Sequence, residues 1–187
     1  QSLTVVFNQG LIYADQGEHA RSRAMLEEAY QARREELGDD HPYTLSIMSE
    51  LATVLHDMGA SDEAKQLLDQ CLLTRTRVLG PNHPDTLRTR ANRAAVLAAI
   101  GPPDEPIITL RAVLELQQSG VGPEHPQSQF TMLQLGRALR DAKRLDEAEA
   151  VARAFVAISA SAPNAKSAMH NANTLLESVL EAQAARE

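Results

Sequence analysis

The sequence predicts an all-α fold, a solenoid of antiparallel helix pairs, and three observations predict it. The stretch Leu37-Gly38-Asp39-Asp40-His41-Pro42-Tyr43-Thr44-Leu45 returns as Leu79-Gly80-Pro81-Asn82-His83-Pro84-Asp85-Thr86-Leu87, and again as Val121-Gly122-Pro123-Glu124-His125-Pro126-Gln127-Ser128-Gln129. Gly, His and Pro recur 42 residues apart, and a fixed period of this size marks stacked repeats. Between these connectors, apolar residues fall at steps of three and four, as in Leu45, Met48, Leu51, Ala52 and Leu55, which is helical spacing. Aromatic residues are only 3% of the chain, with no Trp, so Ala and Leu carry the packing and favour closely approaching helices.

The chain of 187 residues divides into repeats of about 1–42, 43–84, 85–126 and 127–168, with a capping helix at about 169–185, together one array over 1–187. Each repeat holds two helices. First helices are expected at 2–16, 43–58, 85–100 and 127–142; second helices at 18–37, 61–79, 104–120 and 145–161. Gly17, Gly59 and Gly101-Pro102-Pro103 mark the turns between them, while Lys143 marks the fourth less clearly. Each first helix carries a small residue (Gly10, Ala52, Ala94, Gly136) followed three places on by a larger one (Tyr13, Leu55, Leu97, Leu139). Second helices repeat Ser22, Ala64, Pro106, Ala148, then Leu26, Leu68, Leu110, Ala152, then Ala29, Cys71, Val113, Phe155. Alternating small and large side chains at fixed offsets is what interlocking helices require.

The ends of the helices are marked as well. Gly38, Gly80 and Gly122 are expected to end the second helices with positive φ. His41, His83 and His125 sit near the next N-cap and the following Pro at the first helical position. Asp62, Asp104 and Asp146 are expected to cap the second helices and meet their positive dipole ends. Pro106, in a first turn, is tolerated. The pattern decays at Asn164-Ala165-Lys166-Ser167-Ala168, and the segment 168–185 suits a helix that closes the open end. The N-terminal end has no such cap: Val5, Val6, Leu11 and Ile12 are expected on uncovered faces, where another helix packs or a second copy associates.

Composition excludes several functions. Net charge is −7 with pI near 5.4, against the basic face a nucleic-acid partner needs. No run of 18 apolar residues exists, so no membrane span is expected. The single Cys71 permits no intrachain disulfide and fits a reducing, cytoplasmic compartment. With Gln1 first and no leader pattern, the chain reads as a piece of a longer protein.

These columns resemble those of tetratricopeptide repeats. Gly10, Tyr13, Ser22, Leu26 and Ala29 and their equivalents match the positions of the usual 34-residue unit, to which eight extra residues are added here that lengthen the second helix and supply the Leu-Gly-x-x-His-Pro connector. That form is similar to the kinesin-light-chain subclass, also common in bacterial signalling proteins. The resemblance covers residues 2–161 and implies a right-handed superhelical solenoid of these helix pairs. Gln9 and Arg93 depart from it, standing where Leu51 and Leu135 stand elsewhere, and Pro106 replaces Ala, so the third repeat is expected to pack less tightly.

The resemblance implies a non-catalytic protein- or peptide-binding scaffold or sensor, within a larger signalling protein; the alternative is a structural module that oligomerises by stacking repeats. It also implies that first helices line a concave groove. On that mapping Asn8, Glu50, Asn92 and Gln134 form a polar, planar column that can bond a bound backbone, beside Ser49, Thr53, Arg88, Arg137 and Arg140. Phe7 and Leu11 stand where related arrays carry the Lys and Asn of a carboxylate clamp, which disfavours that ligand.

Arg88, Arg137 and Arg140, with Arg90 and Arg93 nearby, run against the acidic average. They either hold an acidic segment of a partner or pair with Asp and Glu of adjacent helices. No enzyme, metal or cofactor is expected. The connector histidines are too far apart to share an ion. His56 reads as a groove or surface residue, Cys71 as a buried inert thiol, and Glu27-Glu28 and Glu35-Glu36 as solvated partners of nearby Arg.

Overall fold

The computed structural model describes residues 2–161 and 166–185. Among them lie nine α-helices and no strand: α1 Leu3–Asp15, α2 His19–Leu37, α3 Pro42–Asp57, α4 Ser61–Leu79, α5 Pro84–Ile100, α6 Asp104–Gly120, α7 Pro126–Asp141, α8 Leu145–Ser161 and α9 Lys166–Ala184. The fold class and the helix placements are those expected. The decayed connector at 164–168 begins outside the described residues. No described helix is long and apolar enough to cross a membrane.

The chain forms two compact units, Gln1–Val96 and Leu97–Glu187. In the first, α1 packs on α2, α2 on α3, α3 on α4, and α1 also touches α3. In the second, α6 packs on α7, α7 on α8, and α9 on both α7 and α8. The unit boundary falls inside α5.

Each unit buries the columns of small and large side chains. In the first, Leu26, Ala29, Ala52, Ala64, Leu68 and Cys71 have no exposed surface. In the second, Leu110, Val113, Leu139, Ala148 and Ala152 are likewise covered, and Phe155 nearly so. The small first-helix positions are places where a neighbouring side chain takes the missing volume. A Cβ on Gly10 would lie 2.9 Å from Leu26 Cδ2, and one on Gly136 would overlap Leu175 of α9. Pro106 is buried in the first turn of α6, where its missing N–H has no intrahelical partner to lose.

The connectors do three jobs in a few residues. Gly38 and Gly80 close α2 and α4 with φ of 87° and 91° and ψ of 169° and 163°. Gly122 has φ of 95°. His41, His83 and His125 then accept the backbone N–H two residues on, through Nδ1 at 3.2 Å in each case, and Pro starts the helix. The histidines are therefore caps.

Two expectations need correction. The N-cap positions of α4 and α6 are Ala60 and Pro103, and neither helix has a side-chain cap. Asp62 and Asp104 lie within the first turn, where they complement the dipole without capping, and Asp146 lies in the first turn of α8. Val6 is not on the uncovered N-terminal face: it is 3% exposed, in the core, whereas Val5 and Ile12 are exposed.

Gly80→Ala tests the connector backbone. A Cβ there meets nothing within 4 Å, so any cost is conformational, in a region of φ and ψ open essentially to Gly alone. Stability measured by chemical denaturation should fall by about 1–3 kcal/mol; an unchanged midpoint would show that the turn relaxes freely.

Candidate functional site

The first unit builds its polar face on α1, α3 and α5. Asn8 on α1 is exposed. On α5, Arg88 Nη1 donates to Glu50 Oε1 of α3 at 2.7 Å, and its Nη2 lies 3.9 Å from Asp85. One turn on, Asn92 Nδ2 donates to Ser49 Oγ at 3.4 Å. Ser49 is wholly buried and so acts on Asn92 rather than facing solvent; Thr53 Oγ1 donates to the Ser49 carbonyl oxygen at 3.2 Å. Asn92 is 8% exposed, and its Oδ1 has no hydrogen-bond partner among the described residues. A buried amide oxygen without a donor costs free energy until something supplies one.

Beneath this face lies a residue the sequence reading missed. Arg75 of α4 is 1% exposed and has no carboxylate in ion-pair range among the described residues. Its Nη1 donates to Thr89 Oγ1 at 2.7 Å and to the Asp85 carbonyl oxygen at 3.1 Å, and its Nη2 to Ser46 Oγ at 3.2 Å. One guanidinium thus ties α4 to both α3 and α5. Burial lowers its pKa, and the Arg88 charge adds to that. The signal available was positional: 42-residue steps align Arg33, Arg75, Gln117 and Ser159, and the last three are buried. Cys71, alongside, donates to the Leu45 carbonyl oxygen at 3.4 Å. Burial raises its thiol pKa, against the opposing pull of Arg75, which fits an inert thiol.

The basic cluster proves mostly engaged. Besides Arg88, Arg93 pairs with Asp69 of α4, which also takes Lys65 at 2.7 Å. This explains a polar residue at a position usually given to Leu. Arg90 donates to the Pro81 carbonyl oxygen at 3.2 Å. In the second unit Arg140 divides between Asp141 at 2.8 Å and Ser178 at 3.0 Å. Arg137 is exposed and has no partner among the described residues. Gln134 lies half-buried on the same helix. Of the acidic pairs, Glu27 takes Arg23 at 2.7 Å and Glu36 takes Arg33 at 2.8 Å. His56 meets Ser61 Oγ at 3.0 Å, across the α3–α4 turn.

Against known proteins, this arrangement of paired helices has clear counterparts. The tetratricopeptide repeat family is matched over residues 2–72 and 44–105, more than half of the chain. The chain belongs to that family, whose repeats generally mediate protein–protein interaction. Among solved structures, a kinesin light chain-type protein of Podosopora anserina with nearly identical TPR-like repeats is 25% identical. Its TM-score is 0.68, covering 99% of this chain and 96% of that one. A single-substitution variant of the same protein gives 24% identity and a TM-score of 0.72, covering 98% and 87%. BtubC of P. vanneervenii shares the fold at 13% identity and TM-score 0.62, covering 98% of this chain and 64% of that one. No curated protein matches.

Arg75→Ala should destabilise the first unit by about 2–4 kcal/mol, through the cavity and the loss of its charge-assisted hydrogen bonds. Amide hydrogen exchange should then rise in α3 to α5; a variant as stable as the parent chain would mean the guanidinium braces nothing.

Proposed function

We propose that this chain is a non-catalytic protein-binding scaffold or sensor module of a larger cytoplasmic signalling protein, holding an extended or helical partner segment against its first helices. The observation that carries this reading is Asn92. Its amide is held by Ser49, flanked by the Arg88–Glu50 pair, and its oxygen is buried without a donor. A bound segment reaches that oxygen only if the Asn92 side chain turns outward, and an N–H of the segment would then satisfy it. Membership of a family that generally mediates protein–protein interaction supports the same reading.

The preference of the second unit is for an acidic segment, on the strength of the unpartnered Arg137 and the adjacent Arg140. A second reading, self-association through α1, rests on the exposed Val5 and Ile12. Concentration-dependent sedimentation abolished by Val5→Asp with Ile12→Asp would favour it.

The main reading is tested with peptides selected by display against the folded chain. Asn92→Ala should weaken their binding by about 1–3 kcal/mol while helix content stays unchanged. Arg137→Glu with Arg140→Glu should cost at least about 2 kcal/mol for acidic peptides. Affinities unchanged in both variants, with the fold intact, would remove these helices from the binding surface.

A further inference from the structure

Between α7 and α9 lies a cleft of about 120 Å³ whose hydrogen-bond donors are largely unused. Arg137 contributes from α7, and His170, Asn171 and Thr174 from α9. None of these four has a hydrogen-bond or ion-pair partner among the described residues. Arg140 completes the lining and is held in place. Its Nε and Nη2 lie on Asp141 Oδ1 at 2.9 and 2.8 Å, and its Nη1 donates to Ser178 Oγ at 3.0 Å. That leaves an N–H on each terminal nitrogen for another acceptor. Leu133 and Leu175, both buried, form the apolar wall. The carboxylate paired with Arg140, Asp141, is 62% exposed and therefore well screened by water.

We propose that this cleft binds a single oxyanion, the carboxylate or phosphate of a partner segment. Arg137 and Arg140 would supply the charge, and the amide, hydroxyl and imidazole of α9 the remaining donors. Charge-assisted bonds from guanidinium forks are the strongest contacts available to such groups, and the apolar wall strengthens them. On this account α9 is half of a binding site as well as the end of the array. The inference rests on the peptide-binding reading above only for what carries the anion.

The test is a titration of the isotopically labelled whole chain with inorganic phosphate and, separately, with acetate. The side-chain resonances of Arg137, Arg140 and His170 are followed by NMR. Saturable shifts are expected at these groups well before Arg21, Arg77 and Arg153 respond. Arg137→Gln should weaken the apparent affinity about tenfold, and Thr174→Val should weaken it by a smaller factor. Tighter binding of phosphate would point to a phosphorylated segment, and tighter binding of acetate to Asp, Glu or a chain terminus.

Parallel drift of all arginines, or a titration indifferent to Arg137→Gln, would overturn the site. Saturable binding of phosphate or acetate with no acidic peptide ever selected would keep the cleft and remove the peptide reading. Acidic peptides that bind without disturbing α9 would do the reverse.

Discussion

Everything in this chain depends on how closely two helices can approach where one of them has almost no side chain. Gly10 admits Leu26, Gly136 admits Leu175, and Ala52 sits wholly covered in the core of the first unit. With few aromatic residues, the protein has no large rings with which to fill gaps. Its packing density must come from short distances between backbones, since a gap of less than an ångström forfeits much of the dispersion energy. The large residue three places on, Leu55 or Leu139, is buried beside it.

Close approach has a consequence for function. The columns of the second helices, from Leu26 and Ala29 to Ala152 and Phe155, are consumed by packing. The first helices α3, α5 and α7 are buried around more of their surface than the second helices, so their polar groups are confined to a narrow strip along each. That arrangement puts Glu50, Asn92 and Gln134 on the same helices as the small residues that position them. In the first unit the polar side is itself braced. Arg75 reaches from α4 to Ser46 and Thr89 and so fixes α3 against α5, the two helices whose Arg88–Glu50 and Asn92–Ser49 contacts form the candidate surface.

Much of this was legible in the sequence because each repeat solves the same local problem with the same residues. The positive φ of Gly38, Gly80 and Gly122, the histidine caps and the covered columns all follow from spacing alone. What escaped notice depends on pairing across helices. Arg75 reads as a surface charge until Thr89 and Ser46 are placed beside it. Arg93 reads as a departure from the repeat until Asp69, 24 residues away, is seen to hold it. The share of α9 in the second unit's cleft was hidden for a different reason. The repeat pattern decays before that helix, so no column pointed to His170 or Thr174. The capping role given to Asp62 and Asp104 failed by a shift of one or two residues, which spacing arguments do not resolve.

The central claim is that the small first-helix column sets the helix spacing in both units, and denaturant unfolding of Gly10→Leu, Ala52→Leu and Gly136→Leu tests it most directly. Leu is at least as good a helix former as Gly, so propensity by itself would hold or raise stability at the glycine sites and change little at Ala52. The account predicts the opposite at all three: overpacking should lower stability by about 1–3 kcal/mol or more in each variant. A midpoint that stays level or rises in any of them would show that the helices at that position are not held by close approach.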